Sequence, residues 1–463
     1  MKITVSNNLE IENPTDELKA WCKECLILDN PDYYKKQNMG YSTYNTPKKI
    51  YLYEVRGDIY RLPFGCLDIL WKRYGRDITV QFDNQIKPIQ PFNYQSSINP
   101  YPYQENAIQS VLQAKNGILV SPCGSGKSSM GLEVVARIGG KALWLTHTGD
   151  LLNQSKQRAS EYFNCPQSAY GTITNGKVNI STGITFATVQ TMAKLDLPQY
   201  KNEWTTIIVD ECQHCAGSAT KVTQFSKVIS NLSARYKIGL TATPYRADGL
   251  TKSMFALLGN TLHTVSKDEV KDNTCPVAVE VIETGYQPED VRAICNTDGT
   301  LDINKLTKDM ITNDVRFLKV MHEINSRKGA MIVLANRVEY LERMGNAYEG
   351  NYVCLSGMSP TKANKLKRKK ALADLQTGEI DCIFATYQLA AEGLDCPGLR
   401  YVVFATPEKD ERIITQSVGR VARKCEGKEV GTVIDFVDDF GLFKKYWGKR
   451  KNIYKKLDCE VLE

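Results

Sequence analysis

Three clusters in this sequence have the residue types and spacing to handle a polyphosphate. The first is Ser121-Pro122-Cys123-Gly124-Ser125-Gly126-Lys127-Ser128, between the apolar run 117–120 and an apolar helical stretch, 130–138. Gly124 and Gly126 allow backbone N–H groups to turn inward around an anion. The helix that follows offers its positive end to the same charge. Lys127 is spaced to reach the outer phosphates and Ser128 to offer a hydroxyl to Mg²⁺, with Ser125 and Ser129 completing the cradle. Ser121 stands where the common form of this loop has glycine.

The second cluster, Ile207-Ile208-Val209-Asp210-Glu211-Cys212-Gln213-His214, puts two carboxylates at the end of an apolar run. Strand ends of that kind face the ligand crevice of open α/β sheets. Asp210 is suited to hold Mg²⁺, and Glu211 to orient or deprotonate an attacking water. Gln213 is a candidate for linking the outer phosphate to the rest of its lobe, whereas His214 is equally well explained by packing. Small hydroxyl residues in Gly239-Leu240-Thr241-Ala242-Thr243-Pro244 follow another apolar run and can couple to the carboxylate strand.

The third cluster is Gln416-Ser417-Val418-Gly419-Arg420-Val421-Ala422-Arg423. On a helix, residues three apart share a face, so Arg420 and Arg423 are expected to present two guanidinium groups together. Paired guanidiniums suit a polyphosphate, and an arginine finger stabilises charge on a transferring phosphoryl group.

The elements that must position these residues read as short apolar strands alternating with helices. Runs at 117–120, 142–145, 206–209 and 236–240 are followed, after about residue 280, by runs at 330–334, 381–385, 401–404 and 431–434. That rhythm indicates parallel sheets covered on both faces. The expected organisation is a small N-terminal α+β domain over 1–95, then α/β lobes over 96–280 and 281–463. In the first of these, 16–28 has helical apolar spacing, 50–55 and 78–82 read as strands, and 56–58 as a turn. Residues 88–102, with four prolines, read as a linker.

Composition narrows the function classes. A chain of 463 residues should fold as about three domains. Its net charge is +7, compatible with a polyanionic partner. No run approaches the roughly 20 apolar residues of a membrane span. Residues 1–8 lack the pattern of a secretory signal. The 14 cysteines therefore read as reduced thiols, and a cytoplasmic location is expected. Two CxxC spacings, Cys22–Cys25 and Cys212–Cys215, lack the second pair that zinc would require.

The motifs, in this order, resemble the superfamily-two helicases over about 100–440. Pro102-Tyr103-Gln104 resembles the adenine-recognition segment, with Gln104 reading the base. Residues 143–148 and 187–192 resemble strand-gripping motifs, which brings in Thr146, His147 and Gln190. Residues 385–395 resemble a coupling motif and add Gly393 and Asp395 to the nucleotide site. The Asp-Glu-Cys-His form common among relatives has Gln213 at its last position here. Residues 239–249 look most like XPB-type enzymes and the UvsW-like branch-migration helicases of large tailed phages. Where XPB-type enzymes carry Arg-Glu-Asp this chain has Arg246-Ala247-Asp248.

The resemblance implies two RecA-like lobes and ATP with Mg²⁺ as cofactors. Arg420, Arg423 and Gln416 would act on nucleotide held through Lys127, Asp210 and Glu211. It implies branched or forked duplex DNA as substrate and 3′-to-5′ tracking; action as a monomer is a separate expectation. RNA as substrate remains a rival, as does an ATP-gated clamp that never translocates. Basic surfaces suited to a nucleic-acid backbone are Lys35-Lys36, Lys48-Lys49 with Tyr51 and Tyr53, 362–370, and 444–456; Arg246 is a further contact candidate.

Overall fold

The computed structural model describes residues 1–82, 91–122, 124–216, 219–242, 250–271, 274–355, 362–391, 396 and 398–462. Thr243, Arg246, Gly393 and Asp395 lie outside the described residues. Two compact units divide at Val270 and Lys271.

The first unit is built on an eight-stranded sheet. Its order is Lys177–Asn179, Tyr170–Thr174, Ile184–Thr188, Ala142–Thr146, Thr206–Asp210, Tyr236–Thr241, Asn116–Val120 and Thr261–Thr264. All neighbours are parallel except the first pair, a hairpin turning at Asn175 and Gly176. Ala142–Thr146, Ile184–Thr188 and Thr206–Asp210 are buried throughout, as strands covered on both faces must be. The helices Lys127–Ile138 and Gly149–Tyr162 pack on this sheet.

The N-terminal residues form their own five-stranded sheet, and not everything there follows the expected pattern. The helix ends at Cys25 instead of running on to residue 28, and Ile27–Asp29 becomes a strand. The single strand expected over 50–55 is two: Lys49–Tyr51 pairs with Ile27–Asp29, whereas Glu54–Arg56 pairs with Ile59–Pro63 in the other sheet. Alternating apolar residues run through both segments, and periodicity does not register a change of pairing partner. Nor is this region a detached module. Ile3, Leu9, Leu62 and Leu70 share one buried cluster with Val222, Phe225 and Leu257 of the larger sheet's helices. The expected linker is likewise packed down from Tyr94, whose hydroxyl donates to the Gly140 carbonyl at 2.7 Å.

A buried lysine seals this junction. Lys237, on the strand Tyr236–Thr241, is wholly inaccessible; its Nζ donates to the carbonyls of Asn7 and Ile229, each at 3.2 Å, and lies 5.2 Å from the Phe64 ring centroid. Burial pushes its pKa down to about 7. The unfolded chain, with an ordinary lysine pKa near 10.5, therefore binds more protons between these values, and stability rises with pH across that window. Relative to Lys237→Met, the wild type should gain about 2 kcal/mol in unfolding free energy between pH ~7 and pH ~9. Urea melts at both pH values measure this; parallel pH profiles for the two proteins would refute it.

The second unit carries a seven-stranded, all-parallel sheet. Its order is Tyr352–Cys354, Cys382–Thr386, Met331–Ala335, Tyr401–Phe404, Gly431–Val437, Val277–Glu283 and Glu460–Leu462. The boundary expected between 280 and 281 falls inside Val277–Glu283, which pairs along its whole length with Gly431–Val437. A half-exposed strand carrying two acids, Val-Ala-Val-Glu-Val-Ile-Glu, did not read as the opening of a buried sheet.

Candidate functional site

In the first unit, the strands Asn116–Val120 and Thr206–Asp210 flank Tyr236–Thr241, so the loops at their C-terminal ends adjoin. Gly124 and Gly126 adopt φ of 84° and 82°, in the left-handed region that a side chain disfavours. At Gly126 the reason is also steric, because a Cβ there would lie 2.6 Å from Gln104 Nε2. Ser121, in place of glycine, is fully buried and its hydroxyl donates to that of Ser125, which in turn donates to the Pro122 carbonyl at 2.7 Å. The serine thus braces the loop through its side chain.

Gln104, to which the resemblance implies a base-reading role, has both ends of its amide engaged within the first unit. Its Nε2 donates to the Ser125 carbonyl at 2.8 Å, and its Oε1 accepts from the Tyr101 backbone N–H at 3.0 Å. Tyr103 adds a second bond to Ser125 O, at 3.0 Å. In this arrangement the amide supports the phosphate loop and fixes the start of the helix Pro102–Ala114.

Lys127 opens the helix Lys127–Ile138, and its Nζ lies 4.0 Å from Glu211 Oε1. Ser128 and Ser129 follow in its half-buried first turn. Glu211 itself has φ of 49°. For a residue with a Cβ this is sparsely populated backbone, of the kind that persists where surrounding structure over-determines it. Gln213 Nε2 donates to Glu211 Oε2 at 2.6 Å, and Gln213 Oε1 accepts from Thr241 Oγ1 at 2.7 Å. A continuous line therefore runs from the end of one strand to the carboxylate at the end of the next. Gln213 was legible in the sequence as a link, and the tertiary contact supplies both of its partners.

Asp210 is buried, and its carboxyl is pushed above the usual range by burial and by the adjoining Glu211, against the pull of Lys127 and Arg158. A desolvated carboxylate beside a second one is a donor set short of positive charge, and together with the Ser128 hydroxyl it offers hard oxygen ligands. These residues fit a divalent cation such as Mg²⁺. Bound there, the cation would neutralise the charge of a phosphate ligand.

Two participants escaped the sequence reading. Ser155 Oγ lies 3.4 Å from Asp210 Oδ2, and Arg158 acts electrostatically on the same carboxyl. Both lie on the helix Gly149–Tyr162, one turn apart. That i,i+3 spacing was the available signal, but a polar helix face is normally solvated.

The strand-gripping candidates divide. Thr146 is fully buried with its hydroxyl donating to Thr148 O at 2.9 Å, so it braces a turn. His147 stacks on His214 with ring centroids 3.9 Å apart, and Gln190 Nε2 donates to the His147 carbonyl at 2.9 Å. Lys48 and Tyr51 are exposed, whereas Lys49 is paired with Asp29 at 2.8 Å.

In the second unit, the helix Glu411–Val421 is N-capped by Asp410, which accepts from Arg412 and Ile413 N–H groups. It buries Ile413, Ile414, Ser417, Val418 and Val421. Gln416 and Arg420, four apart, share its other face. Arg423 lies beyond the helix end and bridges to Thr274 as extended chain, so the expected shared helical face of Arg420 and Arg423 does not form. The chain leaves the helix after Val421 because Gly431–Val437 must return into the sheet. Among the described residues no donor reaches the buried Gln416 Oε1.

Comparison with known proteins agrees with this arrangement. The family described as Type III restriction enzyme, res subunit, matches residues 97–246, and the helicase conserved C-terminal domain matches 315–425. A protein of Acanthamoeba polyphaga mimivirus named as an ATP-dependent RNA helicase is 25% identical over 392 residues, 80% of this chain and 70% of its own. A protein of Halobacterium salinarum named as a DNA 3′-5′ helicase is 23% identical over 342 residues; the match spans 72% of this chain but about half, 53%, of that relative. One named as a helicase, from Escherichia phage T5, is 23% identical over 464 residues, 98% of this chain and 94% of its own. In fold, the helicase domain of Pyrococcus furiosus Hef aligns with a TM-score of 0.52 at 16% identity, over 76% of this chain and 98% of that one. With two RecA-like α/β lobes, the phosphate loop in the first and the helicase C-terminal domain in the second, the chain belongs to the superfamily-two helicases, which hydrolyse ATP on nucleic acid.

Proposed function

We propose that this chain is an ATP- and Mg²⁺-dependent DNA translocase that remodels forked or four-way-junction DNA, tracking 3′-to-5′ as a monomer. The observation that carries the motor reading is the line Thr241–Gln213–Glu211. A residue that activates water needs no such tie to a neighbouring strand end unless hydrolysis is to be felt elsewhere. In this reading Lys127, Ser125, Ser128 and Ser129 bind the phosphates, Asp210 holds the metal, and Glu211 positions the water. Arg420, Arg423, Gln416, Gly393 and Asp395 act on the nucleotide. Thr243 couples with Thr241, and His147, Gln190 and Arg246 serve the DNA backbone. Residues 1–95 recognise the junction. The DNA and 3′-to-5′ assignments are supported by the XPB-like motif 239–249 and by the archaeal relative's name.

The name of the mimiviral relative favours RNA instead. ATPase rates measured with single-stranded, duplex, forked, four-way-junction and RNA ligands separate the readings. The largest stimulation should come from branched DNA. Stronger stimulation by RNA of matched shape would replace DNA as the substrate. Displacement of the third strand from a triplex should accompany hydrolysis; hydrolysis without displacement would leave a clamp.

A further inference from the structure

The segment 29–51 is unusual for a small domain's surface. It holds five tyrosines and four lysines against two aspartates. The helix Pro31–Asn38 within it buries no residue. Met39, Tyr41, Tyr44 and Tyr51 are 59%, 67%, 94% and 64% exposed. Large side chains scattered singly on a surface need no explanation, but a contiguous set marks a binding face.

This face is structured. Asn30 is fully buried, accepts from the Asp32 N–H at 3.0 Å to cap the helix, and donates to Pro47 O at 2.6 Å. Its own N–H donates to Lys48 O at 3.1 Å. Lys36 Nζ donates to Thr46 Oγ1 at 2.7 Å. The two lysine pairs, separated in sequence, are thus drawn to one patch. Of the two acids, Asp29 is taken up by Lys49 and by the Tyr34 hydroxyl at 2.8 and 2.9 Å. The patch keeps a net positive charge and presents aromatic faces that nothing in the first unit covers among the described residues.

We propose that this face binds unpaired nucleotides, with Lys35, Lys36 and Lys48 along the phosphates and Tyr41, Tyr44 and Tyr51 stacking on bases. The inference rests on the chain being a nucleic-acid motor and adds which form of nucleic acid its N-terminal region takes. A single strand is favoured over a duplex because base faces are available for stacking only when unpaired. A polynucleotide is favoured over a protein because cations and aromatics alternate here with few acids. Such surfaces bind with little sequence preference and with strong salt dependence.

The test uses the full chain and fluorescence anisotropy with a labelled mixed-sequence single strand and a labelled blunt duplex. The triple variant Tyr41→Ala/Tyr44→Ala/Tyr51→Ala should lose affinity for the single strand by about tenfold or more. Its affinity for the blunt duplex should be unchanged. Tyr41→Phe/Tyr44→Phe/Tyr51→Phe should bind like the wild type, because phenylalanine stacks as well. Lys35→Gln/Lys36→Gln/Lys48→Gln should flatten the salt dependence of single-strand binding. Equal loss on both ligands, loss in the phenylalanine variant, or no loss anywhere would each overturn the proposal; the last would assign the face to a protein contact. Nucleic-acid stimulation of the wild-type ATPase is read in the same preparation. If it is absent, the motor reading fails; if it is present while the alanine variant binds normally, only this inference fails.

Discussion

Glu211→Gln should bind nucleotide as the wild type does and hydrolyse it about a hundred- to ten-thousandfold more slowly, the range of a positioned general base. The substitution is nearly isosteric and keeps an oxygen for the bond from Gln213, but it cannot accept a proton from water. It also removes the negative charge that lies 4.0 Å from Lys127 and that helps raise the Asp210 carboxyl. Nucleotide and metal binding should therefore be kept or improved while turnover collapses. Stopped-flow binding of a fluorescent ATP analogue, set beside steady-state phosphate release with saturating nucleic acid, separates the two. Hydrolysis within about tenfold of wild type would remove Glu211 from the role of base, since general-base catalysis contributes more than that. Loss of binding in parallel with hydrolysis would mean that the positive-φ backbone at Glu211, not its carboxylate chemistry, was being tested.

The largest stability effect is expected in the second unit, at Asp438. Its carboxylate is buried and accepts from Arg316 Nε at 2.6 Å, Arg316 Nη2 at 3.1 Å and Thr284 Oγ1 at 2.6 Å. Arg316 is itself buried and also donates to Tyr340 OH and to Ala405 O, each at 2.9 Å. Asp438, Thr284 and Ala405 each follow the C-terminal end of a strand: Gly431–Val437, Val277–Glu283 and Tyr401–Phe404, consecutive neighbours in one sheet. The network ties three strand ends to the helix Asp314–Asn325. Asp438→Ala leaves the guanidinium charge buried without its counter-ion, and should cost about 3–5 kcal/mol in urea unfolding. That is a large part of the ~5–15 kcal/mol by which a domain is stable. The double variant Arg316→Met/Asp438→Leu should recover most of the loss, because an apolar pair carries no desolvated charge. Equal destabilisation by the single and double variants would mean that packing, not the uncompensated charge, sets the cost.

Much of the candidate nucleotide site was legible because its residues lie in contiguous segments. Gly124, Gly126 and Lys127 are close in sequence because one turn of chain forms the loop between strand and helix. The strand before them and the helix after them were readable from apolar runs alone. The same holds for Asp210 and Glu211, whose strand is buried over its whole length. Where side chains meet across elements, the sequence said less: it offered Gln213 and Thr241 as a link but not the other contacts. Nothing in 149–162 announced that Ser155 and Arg158 would face Asp210, and nothing in 102–104 announced that Gln104 would donate to Ser125 O. Thr146 shows the same silence: a strand-end threonine has one sequence signature whether its hydroxyl faces solvent or, as here, Thr148 O.

Arg423 shows the limit most clearly. Spacing of three implies a shared helical face only if the helix continues, and Ala422 ends it. The pairing of 50–55 failed similarly, since alternation specifies which face is buried but not which neighbour supplies the hydrogen bonds. By itself, then, the sequence determined the superfamily, the parallel α/β architecture and which segments carry the candidate glycine-rich loop and paired carboxylates, all of which are properties of local pattern. Only the tertiary structure decided that the N-terminal sheet shares a core with the first lobe, that Lys237 is sealed between them, and that Thr241, Gln213 and Glu211 form one line. Each of those depends on which distant segments come within a few ångströms, and that is set by how the elements pack together as a whole.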